Sequence, residues 1–241
     1  MTIYRSRSKG FTLIEMAVVL VIVGLLLGSF IGTFASRIDT TRRDATEKEL
    51  AEIKQMLIAF AYTKDPPYLP CPDTDVPPDG RENRNGANDC SAGINVGTLP
   101  WIDIGLGHAD SWSTRYSYWV NINYARPAGF NLLTSELIGS SSVATRVNDV
   151  ATGVAVNAVA VVYSRGKNGL GGVGTDNVSR VAIPAAGHDD ENDNADANFN
   201  FIFRPSTDEG AATAGGIFDD ILVWINSYEL KAKMVETGVL P

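Results

Sequence analysis

The chain has 241 residues, enough for one large domain with a real core, and its composition is that of an ordinary globular protein. The formal net charge of −8 is unevenly placed: Arg5, Arg7 and Lys9 precede the first apolar run with no acid among them, and without those three the net is −11. A body of that charge repels nucleic acid and no basic patch offsets it, so no nucleic-acid partner is expected.

Residues 11–36 read FTLIEMAVVLVIVGLLLGSFIGTFAS, with Glu15 the only charge. At ~1.5 Å per residue, the stretch after Glu15 spans roughly 30 Å, the thickness of a bilayer core. A basic segment before it favours a cytoplasmic start and an exported C-terminal body. Three readings compete: a plain transmembrane anchor, a secretory signal cleaved near Thr33-Phe34-Ala35, and a third that accounts for the carboxylate.

The octapeptide Lys9-Gly10-Phe11-Thr12-Leu13-Ile14-Glu15-Met16 resembles the processing site of type IV prepilins and of the related type II secretion pseudopilins. The resemblance implies cleavage between Gly10 and Phe11 by prepilin peptidase, methylation of the new amino group, and Glu15 as an assembly residue facing a neighbouring subunit's Phe11 amino group. A carboxylate in hydrocarbon costs about 2–4 kcal/mol and such a residue faces a partner, which agrees with that role. Further partners implied are other pilin or pseudopilin subunits and an inner-membrane assembly platform. The implied location is a bacterial inner membrane, as a single-pass protein with an exported domain, and then a periplasmic or extracellular filament.

The expected division is a leader at 1–10, a transmembrane or filament-core half-helix at 11–36, an amphipathic half at 37–64 and a globular domain at 65–241. Residues 37–64 lack glycine and proline, and Leu50, Ile53, Met56, Leu57, Phe60 and Ala61 form a stripe at helical spacing. Asp65-Pro66-Pro67 ends the helix, because proline lacks the amide and restricts its predecessor. Residues 65–110 read as irregular. Cys71 and Cys90 fit one disulfide in an oxidising compartment, closing a loop of roughly 20 residues worth about 3 kcal/mol; two unrelated thiols are the alternative.

Strands are expected at Tyr116–Asn123, Ala155–Ser164, Asn198–Arg204 and Asp220–Asn226, followed by a short helix with Ser227 as its N-cap, running through Glu236 and ended by Gly238. Residues 135–149 show no period. The class is therefore α+β, a long N-terminal helix packed on an antiparallel sheet, and the resemblance implies the same architecture.

Asp110-Ser111-Trp112 with Arg115-Tyr116-Ser117-Tyr118 is similar to the stretch entering the first strand of major pseudopilins, with Ser113 where that pattern has glycine. Leu69-Pro70-Cys71-Pro72, Gly97–Trp101 and Phe218–Ile221 with Leu240-Pro241 look like a set recurring in larger bacterial pilin-like proteins. Gly169–Gly174 matches GxGxxG, but no helical stripe follows, so a loop between strands is expected rather than a dinucleotide site.

The acidic run 188–196 offers hard oxygen ligands but does not fit an EF-hand loop. Together with Ser164-x-Gly166-x-Asn168-Gly169 it is similar to the calcium region of major pseudopilins, which makes Asp189, Asp190, Asp193 and Asp196 candidate calcium ligands; a solvated acidic loop is the alternative. No other cofactor is expected. His108 and His188 assemble no catalytic triad, and Asp219-Asp220, read as strand residues, point to opposite faces. The expectation is a non-enzymatic, minor filament subunit. A secretion pseudopilin is the close alternative, and an adhesin displaying loops 65–110 and 185–215 is the alternative of another class.

Overall fold

The computed structural model describes residues 10–90, 96–137, 146–150, 152–196, 199–207 and 214–241, the side chains of 29–36, 154 and 155 excepted. Leader residues 1–9 and Asn198 of the expected third strand lie outside them. The chain divides into two compact units, Met1–Arg42 and Arg43–Pro241. Helix α1 (Leu13–Tyr62) contributes to both.

In the first unit the described side chains of α1 are exposed on every face, from Leu13 and Ile14 through Leu25, Leu26 and Leu27. Among the described residues no helix is long and apolar enough to cross a membrane.

In the second unit α1 buries Thr46, Leu50, Ile53, Leu57, Ile58 and Ala61. Ile58 replaces Met56 on the inner face; Met56 is exposed and Phe60 only partly buried. The helix ends at Tyr62, just before the proline pair.

The stripe packs on a four-stranded antiparallel sheet of order β1 (Val96–Thr98), β2 (Ser117–Val120), β5 (Ala160–Ser164) and β7 (Ile221–Ile225). Alternation along the strands sorts the core into two layers. Tyr116, Tyr118, Val120, Ala160 and Val162 join the helix, whereas Trp119, Val161, Tyr163 and Leu222 face the other way. That outer face meets a second sheet of order β4 (Val154–Asn157), β3 (Arg146–Asp149) and β6 (Asn200–Phe203), through Val147, Phe201 and Ile202. The architecture is thus α+β, with a helix, a sheet and a smaller sheet in three layers.

Two expectations need correction. Ala155–Ser164 is not one strand: β4 and β5 belong to different sheets, and Ala158 and Val159 turn the chain between them. Nor is all pairing antiparallel, since β3 and β6 run parallel. Short helices α2 (Trp101–Ile104) and α3 (Ile122–Ala125) and the seven-residue α4 (Asp189–Ala195) complete the loops, and α5 (Ser227–Glu236) follows β7. The cap of α5 is Asn226, whose Oδ1 accepts from Glu229 N at 2.7 Å, rather than Ser227.

Cys71 and Cys90 form a disulfide, with Cα atoms 5.3 Å apart. It lies beside the segments that read as a recurring set. Thr98 pairs with Asp73, Gly97 packs so closely that a Cβ would meet the Asp73 carbonyl, and Tyr118 Oη donates to the Pro70 carbonyl at 3.0 Å.

Asp110 organises the entry to β2. Its Oδ1 accepts from Trp112 N and Thr114 N, both at 2.9 Å, and its Oδ2 accepts from Ser164 Oγ at 2.5 Å. The turn it closes places Ser113 at φ 63°, a left-handed conformation that costs a side-chain residue about 1 kcal/mol relative to glycine. Ser113 is exposed. Ser113→Gly is therefore expected to raise stability by about 0.5–1 kcal/mol in a denaturant titration, the strain relief exceeding the entropy that glycine adds to the unfolded chain.

Candidate functional site

Two places concentrate chemistry. At the N-terminus, Gly10 has no atom within 4 Å of where a Cβ would stand, and Phe11 is 81% exposed. The bond between them lies outside α1, in chain without regular structure, where a peptidase can take it in extended form. Thr12 then starts the helix. Its Oγ1 accepts from Glu15 N at 3.3 Å, while Glu15 Oε2 accepts from Thr12 N and Thr12 Oγ1, both at 2.8 Å. This reciprocal pair is a capping box, Thr-x-x-Glu. The sequence carries that signature at Thr12 and Glu15, so the carboxylate has a local role beside the intersubunit one that the resemblance implies.

The second place is buried in the body. Glu191, Asp219 and Asp220 bring carboxylate oxygens within 4.8 Å of one another. One comes from α4 and two from the segment that enters β7. Glu191 sits on α4, its Oε2 2.7 Å from His188 Nδ1 and its Oε1 accepting from Asn168 Nδ2 and Asp219 N. Asp219 Oδ2 accepts from Asn168 N at 2.8 Å, and its Oδ1 is buried without a partner among the described residues. Asp220 Oδ2 accepts from Asn194 Nδ2 at 2.9 Å, and Asn194 Oδ1 in turn takes Ile202 N of β6.

The Ser164-x-Gly166-x-Asn168 segment has a direct part in this. Gly166 adopts φ 59° and lies against Asp219, so that a Cβ would come within 2.3 Å of the Asp219 carbonyl oxygen. Asn168 follows and holds two of the three acids.

Burial dominates the electrostatics. It pushes the Asp219 carboxyl up to about 8, and the charges of Glu191 and Asp220 add to that. Asp220 is pushed up to about 7, again by burial, although Arg165 and the Asn194 hydrogen bond pull it back. Near neutral pH the trio therefore holds protons that exposed carboxylates would have lost.

Residues 5–31 match the family described as the prokaryotic N-terminal methylation motif. The chain carries the type IV pilin and pseudopilin signature. No curated protein and no solved structure matches it.

The four aspartates read as calcium ligands are placed differently from the trio. Asp189, Asp190 and Asp193 lie on α4 and Asp196 is its C-cap, so the acidic run forms a helix rather than a loop. The cause is local: Asp189, Asp190 and Glu191 occupy the first turn, where negative charge complements the helix dipole. Asp190 pairs with Arg204 at 2.5 Å. Burial, reinforced by the charges of Asp196, Asp190 and Asp189, raises the Asp193 carboxyl. Among the described residues, the groups of three or more converging acids are Asp73, Asp75 and Asp79, and the trio.

Asp219 and Asp220 converge because they precede β7 rather than belong to it, so strand alternation does not separate them. The donor chemistry of the trio fits a hard divalent cation: clustered carboxylates, one of them with an unpartnered buried oxygen. Glu191, Asp219 and Asp220 would hold it, and it would supply charge neutralisation. Gly169–Gly174 forms turns bridged to Thr114, and no helix starts there.

Proposed function

We propose that this protein is a non-enzymatic structural subunit of a type IV pilus or pilus-like filament, and a minor one, because its body is large for a main building block. Prepilin peptidase cuts after Gly10, the subunit is stored in the inner membrane by its apolar helix, and assembly packs the N-terminal helices into a filament core. The methylation motif over residues 5–31 carries the reading, and the exposed Gly10–Phe11 bond ahead of a capped helix supports it. Before assembly Thr12 satisfies the Glu15 carboxylate; in the filament a neighbouring subunit's Phe11 amino group takes its place. A pseudopilin of a type II secretion system is the second reading, since the same motif serves both. Within the body, the acidic trio takes a structural calcium ion.

The experiment is mass spectrometry of protein recovered from cells with active prepilin peptidase. The expected N-terminal peptide begins at Phe11 and is heavier by one methyl group. A mature terminus elsewhere, near Ala35 for instance, would overturn the assignment.

A further inference from the structure

Two arginines in the body are buried without a counter-charge in contact. Arg115 is 5% exposed and Arg165 7%. Arg115 Nη2 donates to Asn177 Oδ1 at 2.7 Å, but its Nε and Nη1 have no hydrogen-bond partner among the described residues. Arg165 Nε donates to Ser117 Oγ at 3.2 Å, and its Nη1 is likewise unpartnered. The carboxylates that interact with them form no ion pair with them: Asp73 and Asp176 for Arg115, and Asp220 for Arg165. Each of these acids is satisfied elsewhere. Asp73 accepts from the backbone of Asp75 and Gly80, Asp176 pairs with Arg180, and Asp220 takes Asn194. A buried guanidinium ordinarily has a hydrogen-bonded anion, because desolvating it alone is unfavourable.

Both arginines line one cavity of about 350 Å³, beside β1, β2 and the glycine-rich segment. Their placement is built in. The Arg115 guanidinium lies 4.1 Å from the Trp101 ring centroid and that of Arg165 lies 4.7 Å from the Tyr163 ring centroid, so aromatic faces fix both planes. Gly172 gives Arg165 its bed: a Cβ there would stand 3.2 Å from Arg165 Cγ and 2.6 Å from Thr114 Cγ2. The Gly169–Gly174 run thus has a structural reason unrelated to dinucleotides. The remaining wall is largely apolar, with Pro78, Val96 and Val173.

We propose that this cavity binds a small monocarboxylate with a short apolar body, its carboxylate taken by Arg115 and Arg165. Guanidinium donors match planar carboxylates, and the volume lies at the small end of ligand pockets. Asp73 and Asp75 also line the cavity. They oppose a second negative charge, which favours a monocarboxylate over inorganic phosphate.

The test is calorimetric titration of the full chain in neutral detergent, with detergent alone as the blank, using 4-methylpentanoate, its amide and inorganic phosphate. The carboxylate is expected to bind, the amide and phosphate at least about tenfold more weakly, and Arg115→Lys and Arg165→Lys each to weaken carboxylate binding about tenfold. No carboxylate binding at millimolar concentration, or equal binding of the amide, overturns the proposal. Preferential phosphate binding overturns the ligand class. Should a lysine variant fail to fold, the carboxylate–amide comparison on the unaltered chain decides alone.

Discussion

Acidifying the protein from pH 8.5 to pH 5.5 is expected to raise its melting temperature by several degrees. Asp219 and Asp220 are pushed up to about 8 and about 7, mainly by burial, from an ordinary value near 3.8. The folded state therefore holds protons that the unfolded chain has released across this window, and stability falls as pH rises through it. The contribution is fully present below about pH 4 and lost above the folded values. Burial also raises the Glu49, Asp73 and Asp110 carboxyls. Allowing for relaxation, about 2 kcal/mol is expected between the two pH values, or roughly 4–8 °C for a domain of this size. Asp219→Asn should stabilise the protein at pH 8.5 and flatten the profile. A melting temperature that climbs with pH over this window would contradict the account of the trio.

Calcium separates the two roles of the same carboxylates. A cation competes with protons for them, so calcium should raise the melting temperature at pH 8.5 and have little effect at pH 5.5, and Asp219→Asn should lose the response. If calcium leaves the pH 8.5 melt unchanged, the trio is a protonated structural network and the cation assignment fails, while the pH dependence stands.

What the sequence made legible follows a physical divide. The methylation motif and α1 depend on residues adjacent or three to four apart, so the motif and Leu50, Ile53, Leu57 and Ala61 of the stripe could be placed, whereas Ile58 took the inward place expected of Met56. Four strands were found because β-branched and aromatic runs are local too. Their partners were not. Nothing in Ala155–Ser164 shows that Ala158 and Val159 carry the chain from one sheet to another, since both stay buried while the backbone changes partner. The trio was hidden for a similar reason: Asn168, Glu191 and Asp219 lie far apart in the chain and meet through tertiary structure. Local acid density pointed to Asp189, Asp190, Asp193 and Asp196 instead, of which Asp189 and Asp190 sit in the first turn of α4, where negative charge suits the helix dipole. The unpartnered arginines belong with the trio, because no sequence pattern reports a missing hydrogen bond.

Asp110→Ala should be among the most damaging single changes in the body, costing about 3 kcal/mol. Asp110 is 7% exposed and accepts from Trp112 N, Thr114 N and Ser164 Oγ, so removing it leaves three donors facing a space without an acceptor. Burial raises its carboxyl, the Ser164 and backbone hydrogen bonds opposing the shift. A neutral acceptor should consequently replace it well. In Asp110→Asn the amide oxygen can keep both backbone bonds and the Ser164 hydroxyl can rotate to accept, limiting the loss to about 1 kcal/mol. The damage should also travel. Ser164 Oγ accepts Gly166 N at 3.0 Å, Gly166 lies against Asp219, and Asn168 holds Asp219 and Glu191. Asp110→Ala is therefore expected to change the steepness of the stability–pH profile as well as its height, whereas a core truncation such as Leu57→Ala lowers the whole profile evenly. Denaturant titrations of the three variants at pH 5.5 and pH 8.5 distinguish these outcomes. Equal losses for Asp110→Ala at both pH values would show that the β2 entry turn and the acidic trio are energetically independent, despite the continuous chain of contacts between them.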